Sequence, residues 1–184
     1  MNIVLLGPQG SGKGTQGKLL SKQLNIPHIS TGDMLRAYAE QDTPKAKEVR
    51  ALMQQGELVD DHFLEHILQD RLTRPDCEQG FILDGTPRDV EQAQLLEAIV
   101  SVDVAVLIDI TEEESYKRIH KRAKKEGRAD DTDEGLKERL HVYHERTEPV
   151  LAHYEEQGKL VRVDGMQSVE DVFSAVCEQL GLAQ

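Results

Sequence analysis

A chain of 184 residues suits one compact domain, but aromatics are only 4% and tryptophan is absent, so its core must rest on Leu, Val and Ile. With 34 acidic against 22 basic residues the formal charge is −12, which argues against nucleic acid and anionic membranes as partners. No apolar run approaches the roughly 18 residues of a membrane span, and the sequence runs straight into a strand, so neither a span nor a signal peptide is expected and the cytoplasm is the expected location.

The apolar run Asn2 to Leu6 reads as a strand, followed by Gly7-Pro-Gln-Gly10-Ser11-Gly12-Lys13-Gly14-Thr15 and a helix from Lys13 to Leu24. His28 to Ser30 is a weaker strand. From Thr31 to about Leu72 the pattern is nearly all helical, broken near Asp42-Thr-Pro44 and at Gly56; that is too long for a simple crossover and predicts an insertion. Strands follow at Phe81–Asp84 and Val104–Asp109. Thr111-Glu-Glu-Glu114 is a capping box opening a helix that runs to about Lys124. Lys121 to Asp131 is a polar, basic segment between helices. Asp131 to about Gln157 is one long helical pattern with Pro149 inside it, which predicts a kink or break there. A strand at Leu160–Asp164 and a helix opened by Ser168-Val-Glu-Asp171 complete the chain. Strands alternating with helices predict an α/β fold with a five-stranded parallel sheet covered on both faces.

The loop after the first strand carries the plainest chemistry. Its spacing is G-x-x-x-x-G-K between a strand and a helix, the arrangement in which backbone N–H groups, a lysine and the helix dipole meet a polyphosphate. Gly14 stands where such loops usually carry the Ser or Thr that ligates Mg²⁺, so an ion here is expected to be held by phosphates and water. Arg36, in Ser30-Thr31-Gly-Asp-Met-Leu-Arg36, is by position an exposed arginine that can also grip a phosphate with two bonds. Asp84 ends its strand near the glycine loop, where a carboxylate can hold water on Mg²⁺, and Arg88 sits on the Gly-Thr-Pro turn after it. Arg118, Arg122, Arg128 and Arg139 form a basic cluster for which an anionic ligand is the better reason, whereas Lys121, Lys124 and Lys125 read as a solvated face. The seven histidines lack a metal-ligand pattern, and Cys77 and Cys177 form no C-x-x-C pair and read as free thiols.

In one colinear order from Met1 to about Leu180, these motifs resemble the nucleoside monophosphate kinases, and among them the adenylate kinase family. Besides Gly7 to Thr15, the resemblance is carried by Ser30 to Arg36, Gly56-Glu57-Leu58-Val59, Asp84 to Arg88 with Gln92, and Arg128-Ala-Asp-Asp131. It implies reversible phosphoryl transfer from MgATP to AMP, giving two ADP. Gly10, Ser11, Gly12, Lys13, Gly14 and Thr15 would cradle the ATP phosphates, with Arg118, Arg122 and Gly165 also on the ATP side. Thr31, Glu57 to Val59, Gly85, Thr86, Pro87 and Gln92 would hold the adenosine of AMP. Arg36 and Arg88 would grip its phosphate, helped by Arg128 and Arg139, and Asp84 would hold Mg²⁺ through water. Residues 30–59 become a monophosphate-binding insertion and 122–128 a short lid, on a core of 1–29, 60–121 and 129–184. No structural zinc is expected, and a monomer is. The family usually has Phe or Tyr where this chain has Thr86, and its bond before the following proline is cis, as is predicted for Thr86–Pro87. The nearest rival is a UMP/CMP kinase, whose relatives usually carry Ala at the position of Thr31 and Asn at that of Asp89. A non-catalytic ATP-binding module is the rival from another class.

Overall fold

A computed structural model describes residues 1–126 and 132–182. Five parallel strands, β1 (Asn2–Leu6), β2 (His28–Ser30), β3 (Phe81–Asp84), β4 (Val104–Asp109) and β5 (Leu160–Asp164), form one sheet in the order β2-β3-β1-β4-β5. The chain leaves β1, passes over β3 to reach β2, returns to β3, and then crosses β1 to β4. The direction of winding therefore reverses at β1, and the crevice beyond its carboxyl end is where such sheets bind ligands. Register brings Leu5, Ser30 and Asp84 to one level at that edge.

The central strands β1, β3 and β4 are nearly continuous apolar runs because both faces are covered, and alternate residues serve opposite layers. Val4, Leu6, Leu83, Ala105 and Leu107 face one layer with Leu68, Leu96, Val150 and Tyr154. Ile3, Leu5, Ile82, Val106 and Ile108 face the other with Leu20, Val172 and Val176. The first layer is built by α4 (Asp61–Leu72), α5 (Val90–Ile99) and α8 (Glu148–Glu156), the second by α1 (Lys13–Leu24) and α9 (Val169–Gln179). Among the described residues no helix is long and apolar enough to cross a membrane.

Three α-helices lie between β2 and β3. Helices α2 (Thr31–Ala39) and α3 (Pro44–Gln55) stand on their own small core of Leu35, Ala39, Val49 and Val59, while α4 makes the crossover. The predicted breaks are caps: Thr43 accepts from the Ala46 N–H with Pro44 in the first turn, and Gly56 closes α3 in the left-handed region.

Helix α6 (Glu112–Glu126) begins at the Thr111 cap and extends beyond the expected Lys124, so residues 122–126 continue this helix. The expected long helix near Pro149 divides into α7 (Asp133–Val142), a π-helical turn (Tyr143–Thr147) and α8. The break thus falls just before the proline. In an unbroken helix Pro149 would lose one hydrogen bond and crowd the carbonyl of Glu145; after the wider turn it sits in the first turn of α8, where no N–H is needed. His144, on that turn, joins Glu112 and Glu148 at 2.7 Å each and so braces α6 against α8.

One close contact ties α1 to the sheet. A Cβ on Gly17 would lie 2.4 Å from Cδ2 of His28, whose ring lies against that helix beside Asp84. Gly17→Ala should therefore cost about 1–3 kcal/mol by overpacking. In a His28→Ala background the same change should stabilise by up to about 1 kcal/mol, the ordinary helix preference for Ala over Gly. Chemical denaturation of the four variants checks this; simple additivity would overturn it.

Candidate active site

The glycine loop enters the crevice at the end of β1. Gly7 has φ +139°, and a Cβ there would lie 2.3 Å from the Ile108 carbonyl oxygen, so only glycine lets the loop pass β4. Helix α1 starts on Gly12, at φ 103°, with no side-chain cap. The helices α2, α3, α4, α5, α7 and α9 each start on a side chain that accepts from their first turn; α1 starts without one, its Thr15 N–H on the Gly12 carbonyl, and such a start can take an anion. Lys13 Nζ donates to the carbonyls of Gly7 at 2.7 Å and Pro8 at 2.9 Å. Its amine is enclosed, and that desolvation brings its pKa down to about 8; Asp84 pulls the other way, and Arg88, Arg122 and Arg139 add to the lowering. These four cations and one carboxylate thus form a single electrostatic cluster.

On one side of the cluster, Arg118 donates to the Gly165 carbonyl at 2.9 Å and to the Ser11 carbonyl at 3.5 Å, with Glu114 holding its Nε at 2.7 Å. Gly165 is pressed against the end of β4, where a Cβ would come within 2.8 Å of the Asp109 carbonyl oxygen. The loop, Arg118 and Gly165 are therefore one assembly. Gly10 backs onto Arg118 Cβ; Gly14 lies beside Asp84, 3.5 Å from its Oδ2 to the Cβ position; and Thr15 is exposed in the first turn of α1.

On the other side a cleft brings together Lys13, Thr31, Arg36, Glu57, Leu58, Val59, Asp84, Gly85, Thr86, Pro87, Arg88, Gln92, Arg122 and Arg139. Thr86–Pro87 is cis, as predicted. Gly85 has φ +91° with Thr31 Oγ1 only 2.6 Å from where a Cβ would sit, so the turn must carry glycine. Thr31 donates to the Asp84 carbonyl at 3.2 Å and Thr86 donates to Thr31 at 3.3 Å. Arg88 is held by its Nε on the Gly85 carbonyl, and Arg36 pairs with Asp33. Arg139 is buried, its Nε on the Gly135 carbonyl one turn back. Arg128 lies outside the described residues.

Several contributors had no mark in the sequence. Thr147 leaves the π-helical turn to donate to the Arg88 carbonyl at 2.7 Å. Asp89 caps α5 through Oδ1 and takes Arg146 on Oδ2 at 2.6 Å, a double acceptor role that an asparagine could not fill. Asp61 holds the side chain of Gln92. Both cysteines are buried and free, and burial pushes both thiols up.

A family profile described as "Adenylate kinase" matches residues 5–159. The chain belongs to the adenylate kinase family. It is 45% identical to the adenylate kinase of Xanthomonas campestris pv. campestris (strain B100) over 186 aligned residues, covering 98% of this chain and all of that protein. To the adenylate kinases of Xanthomonas oryzae pv. oryzae (strain MAFF 311018) and Stenotrophomonas maltophilia (strain K279a) it is 46% identical, covering 98% and 94% of this chain and 100% and 95% of theirs. The enzyme is accordingly a phosphotransferase, and neither the pyrimidine kinase nor the non-catalytic reading is favoured.

The lowered pKa of Lys13 has a definite sign. The folded protein gives up this proton before the unfolded chain does, so folding gains stability as pH rises from about 8 toward 10.5. Phosphate oxygens reverse the preference by favouring the ammonium. ATP binding at pH 8.5 should therefore take up roughly three quarters of a proton, measured by calorimetry in buffers of different ionisation heat. Lys13→Met should abolish the uptake; uptake that survives it would assign the proton elsewhere.

Proposed function

We propose that the enzyme transfers the terminal phosphoryl group of MgATP to AMP, reversibly, giving two ADP. The observation that carries this reading is the junction of two anion sites in one cleft. The uncapped start of α1 with Lys13 lies on one side, Arg36 and Arg88 on the other, and Gln92 and Thr31 stand beyond them as a buried polar floor.

The chemistry asks little of a general base. The phosphate of AMP is already anionic, and no histidine is among the described residues lining the cleft. What limits the reaction is the repulsion between two anionic groups and their in-line alignment. Lys13 would exchange its loop carbonyls for phosphate oxygens and follow the migrating charge. Arg118 and Gly165 would border the ATP base. Arg122 would meet the donor phosphates, while Arg36 and Arg88 would fix the acceptor phosphate, with Arg139 and Arg128 completing the charge around the transferred group. The buried carbonyl and hydroxyl partners of these side chains orient them before substrate arrives, which is where electrostatic stabilisation draws its effect.

Asp84 suits Mg²⁺ held through water: it is one carboxylate beside Gly14 at the start of α1, with no three-residue ligand group among the described residues. The ion, when bound with ATP, would neutralise phosphate charge. Residues 30–59 would act as a flap over AMP, since α2 and α3 have a core separate from the sheet. Residues 122–128 would act as a short lid, and closure of both would keep water from the donor phosphate. A cytoplasmic monomer is in keeping with the free thiols and with large exposed apolar side chains confined to Met1, Met166 and Val169 among the described residues.

The test is MgATP-dependent phosphorylation of AMP, CMP, UMP, dAMP and GMP, with the products separated. AMP should give ADP stoichiometrically, and ADP alone should give ATP and AMP. Arg88→Lys, which keeps charge but loses the fork, should lower kcat/KM for AMP about 10²-fold with the KM for ATP little changed. A preference for CMP or UMP would move the enzyme to the pyrimidine branch, and no transfer to any acceptor would end the catalytic reading.

A further inference from the structure

Gln92 lines the cleft and is 4% exposed, yet its side-chain amide is already committed on two sides. The backbone N–H of Arg88 donates to Oε1 at 2.8 Å, and Nε2 donates to Asp61 Oδ1 at 2.8 Å. Neither partner can change its role, because a backbone N–H only donates and a carboxylate only accepts. Turning the amide over would set N–H against N–H and oxygen against carboxylate, two repulsive contacts in a buried place. The orientation of the amide is thus dictated by its partners.

Asp61 does not line the cleft. It stands behind Gln92 in the first turn of α4, and the capping of that helix is done by its neighbour: Asp60 Oδ1 accepts from the Phe63 N–H at 3.0 Å. The carboxylate of Asp61 is therefore available for another task. The other half of the lock is the N–H of Arg88, whose guanidinium faces the same cleft.

With those bonds made, the amide keeps one lone pair on Oε1 and one hydrogen on Nε2. Toward a purine it presents an acceptor beside a donor. A 6-aminopurine offers the complement, its amino group donating to Oε1 and its ring nitrogen accepting from Nε2. A 6-oxopurine offers the reverse, an oxygen and a ring N–H, and could be met only by the flipped amide. We infer that Asp61 is a specificity-determining positioning residue which, by latching Gln92, commits the acceptor site to 6-aminopurine monophosphates against 6-oxopurine ones. This rests on the proposed placement of the acceptor base at Gln92.

The test compares kcat/KM for AMP and for inosine monophosphate at saturating MgATP in the wild type, Asp61→Asn, Asp61→Ala and Gln92→Ala. Asparagine keeps the volume but presents either an oxygen or an amino group, so one of the two contacts that bar the turned-over amide is lifted and only the Arg88 N–H still opposes it. The preference for AMP should fall about tenfold in Asp61→Asn, through a gain for inosine monophosphate as well as a loss for AMP, with the KM for ATP unchanged. Asp61→Ala should move the ratio in the same direction. A residue that served folding alone would lower both acceptors together, alongside the melting temperature, and leave their ratio intact; that result would overturn the latch. Gln92→Ala separates the two levels. If it leaves the ratio unchanged, the base does not sit at Gln92 and the placement itself falls. If it collapses the ratio while both Asp61 variants preserve it, the placement stands and the latch is refuted.

Discussion

The concentration of positive charge at the end of β1 is the condition from which the rest of the site follows. In a chain of net charge −12, Lys13 is surrounded by Arg88, Arg122 and Arg139 closely enough that each disfavours its charged form, with Asp84 opposing them. Holding like charges together in a partly desolvated cleft costs folding free energy, which is met by fixed acceptors: loop carbonyls for Lys13, the Gly85 carbonyl for Arg88, the Gly135 carbonyl for Arg139. A polyphosphate replaces this costly arrangement with opposite charge. The protein is thereby least comfortable where its substrate is most needed, a usual relation between local stability and function.

The buried polar floor beyond Arg36 and Arg88, where the acceptor base is proposed to sit, follows a different logic. Thr31, Thr86 and Gln92 are neutral, and most of their hydrogen-bond directions are already used. Thr31 gives its proton to the Asp84 carbonyl, and Gln92 is held between an N–H and a carboxylate. Thr86 adds its hydroxyl to Thr31 and so continues this polar floor. In the proposed reading, charge would supply affinity for the phosphates, and fixed hydrogen-bond polarity would supply selection of the acceptor base.

The two sides are joined mechanically as well as chemically. Helices α2 and α3 stand on their own core, but Gly56 at the end of α3 lies against α7, where a Cβ would approach the Gly135 carbonyl and the Arg139 side chain. The carbonyl that holds Arg139 is therefore the same one that limits the close of α3.

How far the sequence reached follows from the range of the interactions concerned. It determined the strands and the start and end of α1, because alternation with glycine-rich turns and caps is local chemistry. It determined the phosphate loop, because a backbone that must pass β4 and face an anion demands glycines at fixed spacing, and it placed Arg36, Asp84 and Arg88 at the carboxyl edge, where α/β sheets bind ligands. It misplaced the break near Pro149, since the wider turn that relieves the proline lies upstream in residues with no breaker of their own. The partners of the site were decided by tertiary structure alone. Thr147 on the Arg88 carbonyl, Arg146 on Asp89 and Asp61 on Gln92 join residues 31 to 59 positions apart. Nothing in the local pattern distinguishes Asp61 from any acidic residue that favours a helix dipole; only the packing of α4 against α5 gives its carboxylate a side chain to hold.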